Sequence, residues 1–224
     1  MIKKFEKPKI AVDVVLFTII NDDLKILLIK RRFKPFENIW ALPGGLILKD
    51  EPLEQAAKRE LEEETGIKDV YLEQLYTFGA PNRDPRARVI SISYFALVSE
   101  RPTLKPTTDA VEAAWFSVKK LPILAFDHRK IINYALKRLR WKLEYTNVAY
   151  NLLPKLFTLS ELQKVYEIIL GKKIDKRNFR KKISSLDLIE SINRYRKNVS
   201  YRPPALYKFR KRQPVIFTKR EIVF

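Results

Sequence analysis

The 224-residue chain contains no cysteine, so disulfides, thiolate zinc sites and a cysteine nucleophile are all excluded. It also lacks any apolar stretch long enough to span a membrane. The opening MIKKFEKPKIAVDVVLFTII has a basic start and an apolar run, but Asp13 interrupts it and no small-residue cleavage site follows. It reads as a buried strand rather than a signal peptide, and a soluble cytoplasmic protein is expected. Histidine and methionine occur once each beside 32% charged residues, a composition that leans toward thermophilic proteins. The lone histidine, His128, follows Asp127, a good helix-capping residue, and is expected in the first turn of a structural helix rather than in a catalytic role. Acidic residues are the minority: 26 Asp and Glu face 45 Lys and Arg, a formal net charge of +19.

Against that balance, the segment LPGGLILKDEPLEQAAKRELEEETGI, residues 42–67, concentrates negative charge. Pro52 suits the first position of a helix, which leaves Glu51 just outside it as the cap. Gly66 suits its C-terminal end. At about 100° per residue, Leu53, Ala56, Ala57, Glu60, Glu63 and Glu64 share one face while Glu62 points away. Like charges one turn apart cost about 0.2–0.5 kcal/mol per pair, and these continue the face that packs inward. A cation is therefore expected among them. Hard divalent ions, held by carboxylates with waters and substrate phosphates completing the shell, suit such a shallow cluster.

Gly45, Glu51, Arg59-Glu60-Leu61, Glu63-Glu64 and Gly66-Ile67 fill every fixed position of the Nudix box, and the segment resembles that hydrolase superfamily. The resemblance implies cleavage of nucleoside diphosphates linked to another group, with Mg²⁺ or Mn²⁺ as cofactor. It implies Glu60 and Glu64 as metal ligands, Glu63 as a further ligand or orienter of the attacking water, and a carbonyl ligand from Gly44 or Gly45. Arg59 would pair with Glu51 and hold the loop on the helix, with Gly45, Glu51 and Gly66 structural. The fold implied is α/β: a Nudix α/β/α sandwich with a mixed sheet. IAVDVVLFTII and LKILLIKRR read as strands joined at Asn21-Asp22-Asp23, DVYLEQLYTFGA and RVISISYFALVSE as further strands, and the stretch from Ala113 to Leu143 as strand, then helix.

The substrate side rests on the polar loop APNRDPRARVIS, where Arg83, Arg86 and Arg88 are candidates for phosphate contact. Its RDPR stretch resembles the loop of the ADP-ribose-binding Nudix subfamily that includes the NrtR transcriptional regulators. Asp109 and Glu112 precede a strand where many Nudix enzymes place a catalytic base, and Asp109 is the candidate. Trp40, Phe33 and Phe36 flank the box; base stacking is open to them, but core packing is expected.

Residues 149–224 carry 19 Lys and Arg against 6 Asp and Glu, net +13, while the preceding 148 are net +6. The apolar content there stays high, so the segment is folded up to Phe209. Ser160-Glu161 begin a helix with Leu162, Val165, Tyr166 and Ile169 inward, ended by Gly171. Asp175 caps a second, with Phe179 and Ile183 inward and Arg177, Asn178, Arg180 and Lys181 outward. DLIES and PALYKF read as strands around a basic loop carrying Arg194, Arg196 and Lys197. That is a small winged helix pattern, suited to double-stranded DNA: Arg and Asn read bases in the major groove, and wing cations meet phosphates. It resembles the C-terminal domain of the NrtR regulators.

The expected organisation is thus a Nudix domain over 1–145, a winged helix domain over 146–210 and a basic tail of unknown structure over 211–224. A homodimer without membrane contact is expected. Two functions remain open: a hydrolase of ADP-ribose or a related nucleotide with a DNA-binding domain, and a regulator that senses such a nucleotide.

Overall fold

The computed structural model describes residues 6–99, 102–105, 110–197, 203–212 and 215–216. The chain divides into two compact units, residues 1–18 with 25–136 and residues 19–24 with 137–224.

The first unit is built on a mixed sheet in the order β3-β2-β1-β6-β5, with β4 added to β1 and β7 to β2. Its strands are β1 (Lys9–Ile20), β2 (Asp23–Arg31), β3 (Trp40–Ala41), β4 (Gly44–Leu46), β5 (Tyr71–Phe78), β6 (Val89–Leu97) and β7 (Ala110–Ser117). β1 and β2 meet at a two-residue turn in which Asn21 and Asp22 both adopt positive φ, 51° and 61°. Such turns match the twist of paired strands and favour Asn and Asp. β1 lies parallel to β6, pairing Asp13 with Ser93, and antiparallel to β4, pairing Asp13 with Gly44 and Val12 with Gly45.

Alternation along β1 sends Val12, Val14 and Leu16 to one face, where they pack with Ala56, Ala57 and Leu61 of helix α1 (Leu53–Thr65). Asp13, Val15 and Phe17 go to the other face. Because both faces are covered, β1 is a nearly unbroken apolar run rather than an alternating one. Helix α2 (His128–Tyr145) starts beside Asp13, with Ile131, Ile132 and Ala135 fully buried and Tyr134 against the rings of Tyr76 and Phe78. The mixed sheet with covering helices, followed by a winged helix, is the fold expected.

In the second unit, a 3₁₀ turn (Val148–Leu152) precedes α3 (Leu159–Leu170) and α4 (Lys176–Ser185), then the hairpin β8 (Ile189–Tyr195) and β9 (Ala205–Phe209). Thr158 and Glu161 form a reciprocal capping box on α3, one residue pair ahead of the expected start at Ser160. Gly171 ends that helix at φ 70°, and Asp175 caps α4 by accepting from the Asn178 N–H at 2.8 Å. Tyr166, Phe179, Phe157 and Phe209 form the aromatic centre, with Tyr166 and Phe179 rings 5.5 Å apart and Phe157 and Phe209 rings 4.9 Å apart.

The stretch read as a tail is partly packed. Arg212 donates to the carbonyls of Tyr150, Leu153 and Pro154, and the Asn147 side chain bonds the backbone at Lys211 and Val215.

Gly44 has φ 154°, and a Cβ there would stand 2.1 Å from the carbonyl oxygen of Val12. Both the backbone region and the contact demand glycine. Gly44→Ala is expected to cost at least about 1–3 kcal/mol by straining the β1–β4 junction. Urea unfolding of the full chain checks this; an unchanged midpoint would contradict it.

Candidate functional site: a glutamate-lined cleft and a basic helix

A cleft of about 320 Å³ opens at the end of β1, lined on one side by Gly44, Gly45, Glu60 and Glu64 and on others by Asp13, Arg83, Arg86, Phe126 and His128. The β2–β3 loop adds Arg32, Phe33 and Lys34 to its wall.

Glu60 and Glu64 are one turn apart on α1, and both reach the cleft because Ala56 and Ala57 seat that face of the helix on the sheet. Glu64 is buried and accepts from the Gly44 N–H at 2.8 Å. A Cβ on Gly45 would come 2.3 Å from Glu60 Oε1, so the missing side chain leaves the cradle in which that carboxylate lies. Glu63 stands at the rim, 43% exposed, and Glu62 points away to pair with Lys68.

Arg59 ties this cluster together. It forks onto Glu51, Nε to Oε1 at 2.7 Å and Nη2 to Oε2 at 2.9 Å, while Nη1 reaches Glu60 at 2.8 Å and Glu63 at 3.1 Å. Glu51 also accepts from the Leu48 N–H at 3.0 Å. The hydrogen bonds from Arg59 come first among the causes that hold the Glu51 carboxyl at about 2, and those to Glu51 lead in raising Arg59 above its ordinary value. The expectation that Glu51 caps α1 is corrected: Pro52 takes the cap position without a side-chain bond, and Glu51 faces Arg59 instead. The pairing with Arg59 stands as the resemblance implied.

The donor set fits a hard divalent cation, since it offers oxygen alone from two carboxylates facing an open cleft. Among the described residues no group of three or more Asp, Glu or His side chains forms a ready cation cage. Water and substrate oxygens would complete such a shell.

The arginine loop differs from expectation. Arg83 is buried, its Nη2 2.8 Å from Asp127 and 3.2 Å from Asp13. Arg86 forks onto Asp84, Nε at 3.0 Å and Nη2 at 2.7 Å, and Asp84 is itself buried. Arg88 is absent from the cleft lining; its Nη1 is buried without a hydrogen-bond partner. Arg83 folds inward onto carboxylates far along the chain, a pairing invisible in a local polar sequence, while Arg86 stays half-exposed on its near neighbour Asp84. Asp109 lies outside the described residues. Glu112 sits within β7, opposite Lys30, and not on the loop before it. Trp40 packs on Phe116 with centroids 4.6 Å apart, but Phe33 and Phe36 are exposed, against the expectation of core packing.

Sequence reasoning missed Asp13 and gave His128 only a structural place. His128 is in the first turn of α2 as expected, and its Nδ1 accepts from the Leu42 N–H at 2.8 Å. That bond leaves the proton on Nε2, 3.3 Å from Asp13 Oδ1. Burial pushes the Asp13 carboxyl up, but the imidazole of His128, the guanidinium of Arg83 and the Ser91 hydroxyl together pull it down to about 2. The only available signal was one aspartate inside an apolar strand.

In the second unit Arg177, Asn178, Arg180 and Lys181 are all exposed on α4, while Phe179 and Ile183 anchor its other face. Arg194 and Lys197 are exposed at the wing. Arg196 is engaged instead: its Nη2 lies 2.8 and 2.6 Å from the two carboxylate oxygens of Glu161, the capping-box glutamate of α3. Lys208 and Arg210 are likewise paired with Glu190, and Arg210 with Asp187.

A mixed sheet whose box helix turns Glu60 and Glu64 into a cleft defines a Nudix domain, and residues 9–137 match the NUDIX domain family. Residues 149–209 match a second family, the NrtR DNA-binding winged helix domain. The chain belongs to the Nudix family, in the branch that carries an NrtR winged helix. It is 37% identical over 210 residues to the ADPR responsive transcriptional repressor NtrR of Acinetobacter baylyi, covering 92% of this chain and 83% of that one. It is 46% identical over 135 residues to the ADP-ribose pyrophosphatase of Methanocaldococcus jannaschii, covering 60% and 75%. The crystal structure of Shewanella oneidensis NrtR with a 27mer DNA superposes with a TM-score of 0.76 at 37% identity, covering 89% of this chain and 93% of that one. No helix among the described residues is long and apolar enough to cross a membrane.

Because Asp13 and Glu51 are held near 2, below the usual carboxylate range, each contributes stability that is present above its unfolded value and lost as pH falls through its folded one. Urea midpoints should therefore decline between about pH 4 and about pH 2. Asp13→Asn should flatten part of that decline; a profile identical to the unsubstituted chain would remove Asp13 from the account.

Proposed function

We propose that the chain is a divalent-metal-dependent hydrolase of ADP-ribose or a related nucleoside diphosphate derivative, joined to a winged helix that binds double-stranded DNA. The observation that carries the proposal is the pair Glu60 and Glu64, held one turn apart in a cleft by Gly44, Gly45 and Arg59. The relatives named for ADP-ribose, one a pyrophosphatase and one a repressor, support the nucleotide class.

Glu60 and Glu64 would hold Mg²⁺ or Mn²⁺, with Glu63 at the rim as a further ligand or orienter of water. When bound, the metal neutralises phosphate oxygens and lowers the pKa of water. The chain's own part is to keep Glu64 aimed by the Gly44 N–H, to keep Glu60 in the Gly45 cradle, and to balance the glutamates with Arg59 until metal and phosphate arrive. Positioning and charge stabilisation of this kind supply most of the rate in phosphoryl chemistry.

A second emphasis, regulation rather than turnover, is favoured by the span of the match to the Acinetobacter repressor, 92% of this chain. In that reading nucleotide in the cleft alters DNA affinity, and a homodimer would present two winged helices to a palindromic site. A complete glutamate set argues for retained catalysis in either case. On α4, Arg177, Asn178, Arg180 and Lys181 would face bases and phosphates, with Arg194 and Lys197 at the flanking backbone.

Glu64→Gln should lower ADP-ribose turnover with Mg²⁺ by at least about two orders of magnitude, since a lost ligand weakens the charge that stabilises the transition state. Glu62→Gln, facing Lys68, should be nearly silent. No turnover of any diphosphate-linked nucleotide by the unsubstituted chain would defeat the hydrolase reading.

For DNA, the full chain should bind duplex with an affinity that falls steeply with salt. Lys197→Ala should reduce the salt slope by about one, and Arg180→Ala should relax sequence preference. Arg196→Ala should weaken binding without that loss of slope, because its charge is spent on Glu161. Salt-insensitive binding would rule out the DNA role.

A further inference from the structure

Resting on the hydrolase reading, the geometry points to the β2–β3 loop, through Arg32, Lys34 and Phe33, as the principal surface that grips the diphosphate-linked part of the nucleotide. Of the arginines in the 80–88 loop, Arg83 and Arg86 are already paired with carboxylates and Arg88 does not line the cleft. Freeing Arg83 would take the guanidinium from Asp13 and Asp127, and swinging Arg86 away would leave the buried Asp84 without its side-chain cation. Removing one partner from such a pair is strongly unfavourable, because the charge left behind is desolvated and unpaired. A nucleotide entering the cleft cannot draw Arg83 away without meeting that cost, and Arg86, held on Asp84 through Nε and Nη2, offers it one remaining nitrogen.

Arg32 and Lys34 line the same cleft, are exposed, and have no hydrogen-bond or carboxylate partner among the described residues. Their charge is thus available to phosphate oxygens at no cost to the fold. The loop that bears them is held in shape at its base. Asn38 N–H donates to the Arg31 carbonyl at 2.9 Å and Arg31 N–H to that of Ile39 at 3.1 Å. The Arg31 side chain donates Nε to the Pro35 carbonyl at 3.0 Å and stacks its guanidinium 4.9 Å from the Phe126 centroid. Arg31 is therefore a positioning residue, folded back to fix the turn. Phe33, 56% exposed yet on the cleft wall, leaves a bare aromatic face between the two cations. Two cations flanking an exposed ring match a ligand that carries adjacent phosphates and a flat base.

The test is calorimetric titration of the full chain with α,β-methylene ADP-ribose, which cannot be hydrolysed, and in parallel with adenosine, which lacks phosphate. Arg32→Gln/Lys34→Gln should raise Kd for the analogue at least about tenfold, the loss of two charge-assisted contacts, and leave adenosine within about twofold. Phe33→Ala should weaken both ligands. Tm should stay unchanged in these variants, since the residues are exposed and unpaired, whereas Arg86→Gln should lower Tm. Equal analogue affinity in the double variant and the unsubstituted chain would overturn the assignment while leaving the hydrolase reading in place. A larger affinity loss from Arg86→Gln than from the double variant would also overturn it. No binding of the analogue by the unsubstituted chain would overturn both.

Discussion

Arg59 is the cation on which the cleft depends. Three glutamates on one helix face and Glu51 from the preceding loop would repel one another, and an α-helix offers no way to spread them, because residues three and four apart must be neighbours. One guanidinium solves this by geometry: its fork fits Glu51 and its remaining nitrogen reaches Glu60 and Glu63. A lysine, a point charge without the planar fork, could not meet Glu51 in two directions and still face α1. The same pairing fixes the loop between β4 and α1, which in turn sets Gly44 and Gly45 against Glu64 and Glu60. Charge balance and ligand placement are thus one arrangement.

Much of this was legible in the chain. The box spacing carried the class, the 3.6-residue period placed Glu60 and Glu64 inward and Glu62 outward, and Gly66, Gly171 and Asp175 marked helix ends, while the starts of α1 and α3 shifted by one or two residues. The winged helix was readable from the same signals, with the start of α3 displaced by two residues because Thr158, not Ser160, pairs with a glutamate three positions on. What could not be read were contacts made by fold closure. Asp13 meets Arg83, 70 positions away, only because β1 runs beside β6 at the level of Ser91, and Asp127 arrives with the start of α2. No local pattern distinguishes an arginine that will reach solvent from one that will be drawn under the sheet edge. For the same reason Phe33 and Phe36 were assigned to the core: aromatic residues usually are buried, and only the path of the β2–β3 loop leaves these two outside.

The basic C-terminal third shows why net charge alone is a poor guide to a binding surface. Arg196, Lys208, Arg210 and Arg212 count toward the +13 of residues 149–224, yet each is committed to a carboxylate or to backbone carbonyls of its own unit. Those pairs hold the hairpin to α3 and the last segment to the 3₁₀ turn. The charges on α4 and at Arg194 and Lys197 have no such partners among the described residues. The field that a polyanion meets is set by these few, which occupy one helix face and one hairpin tip. Paired and unpaired cations are interleaved in sequence and separated only by the fold.

The same sorting operates in the cleft, and there it has a chemical consequence. A site that takes a metal and a polyanion together, as proposed for this cleft, needs negative charge on one wall and positive charge on the other without letting the two collapse onto each other beforehand. Here the walls come from different elements: α1 supplies the carboxylates, and the β2–β3 loop supplies the unpaired cations. Arg59 stands on the outer side of Glu60, so it offsets the glutamates without closing the cleft between them and the loop. Arg83 and Arg86 would be poor occupants of the opposite wall if left free, since mobile guanidiniums would seek Glu60 and Glu64. Their pairing with Asp13, Asp127 and Asp84 limits that competition, with Arg83 buried and Arg86 tethered by two of its nitrogens.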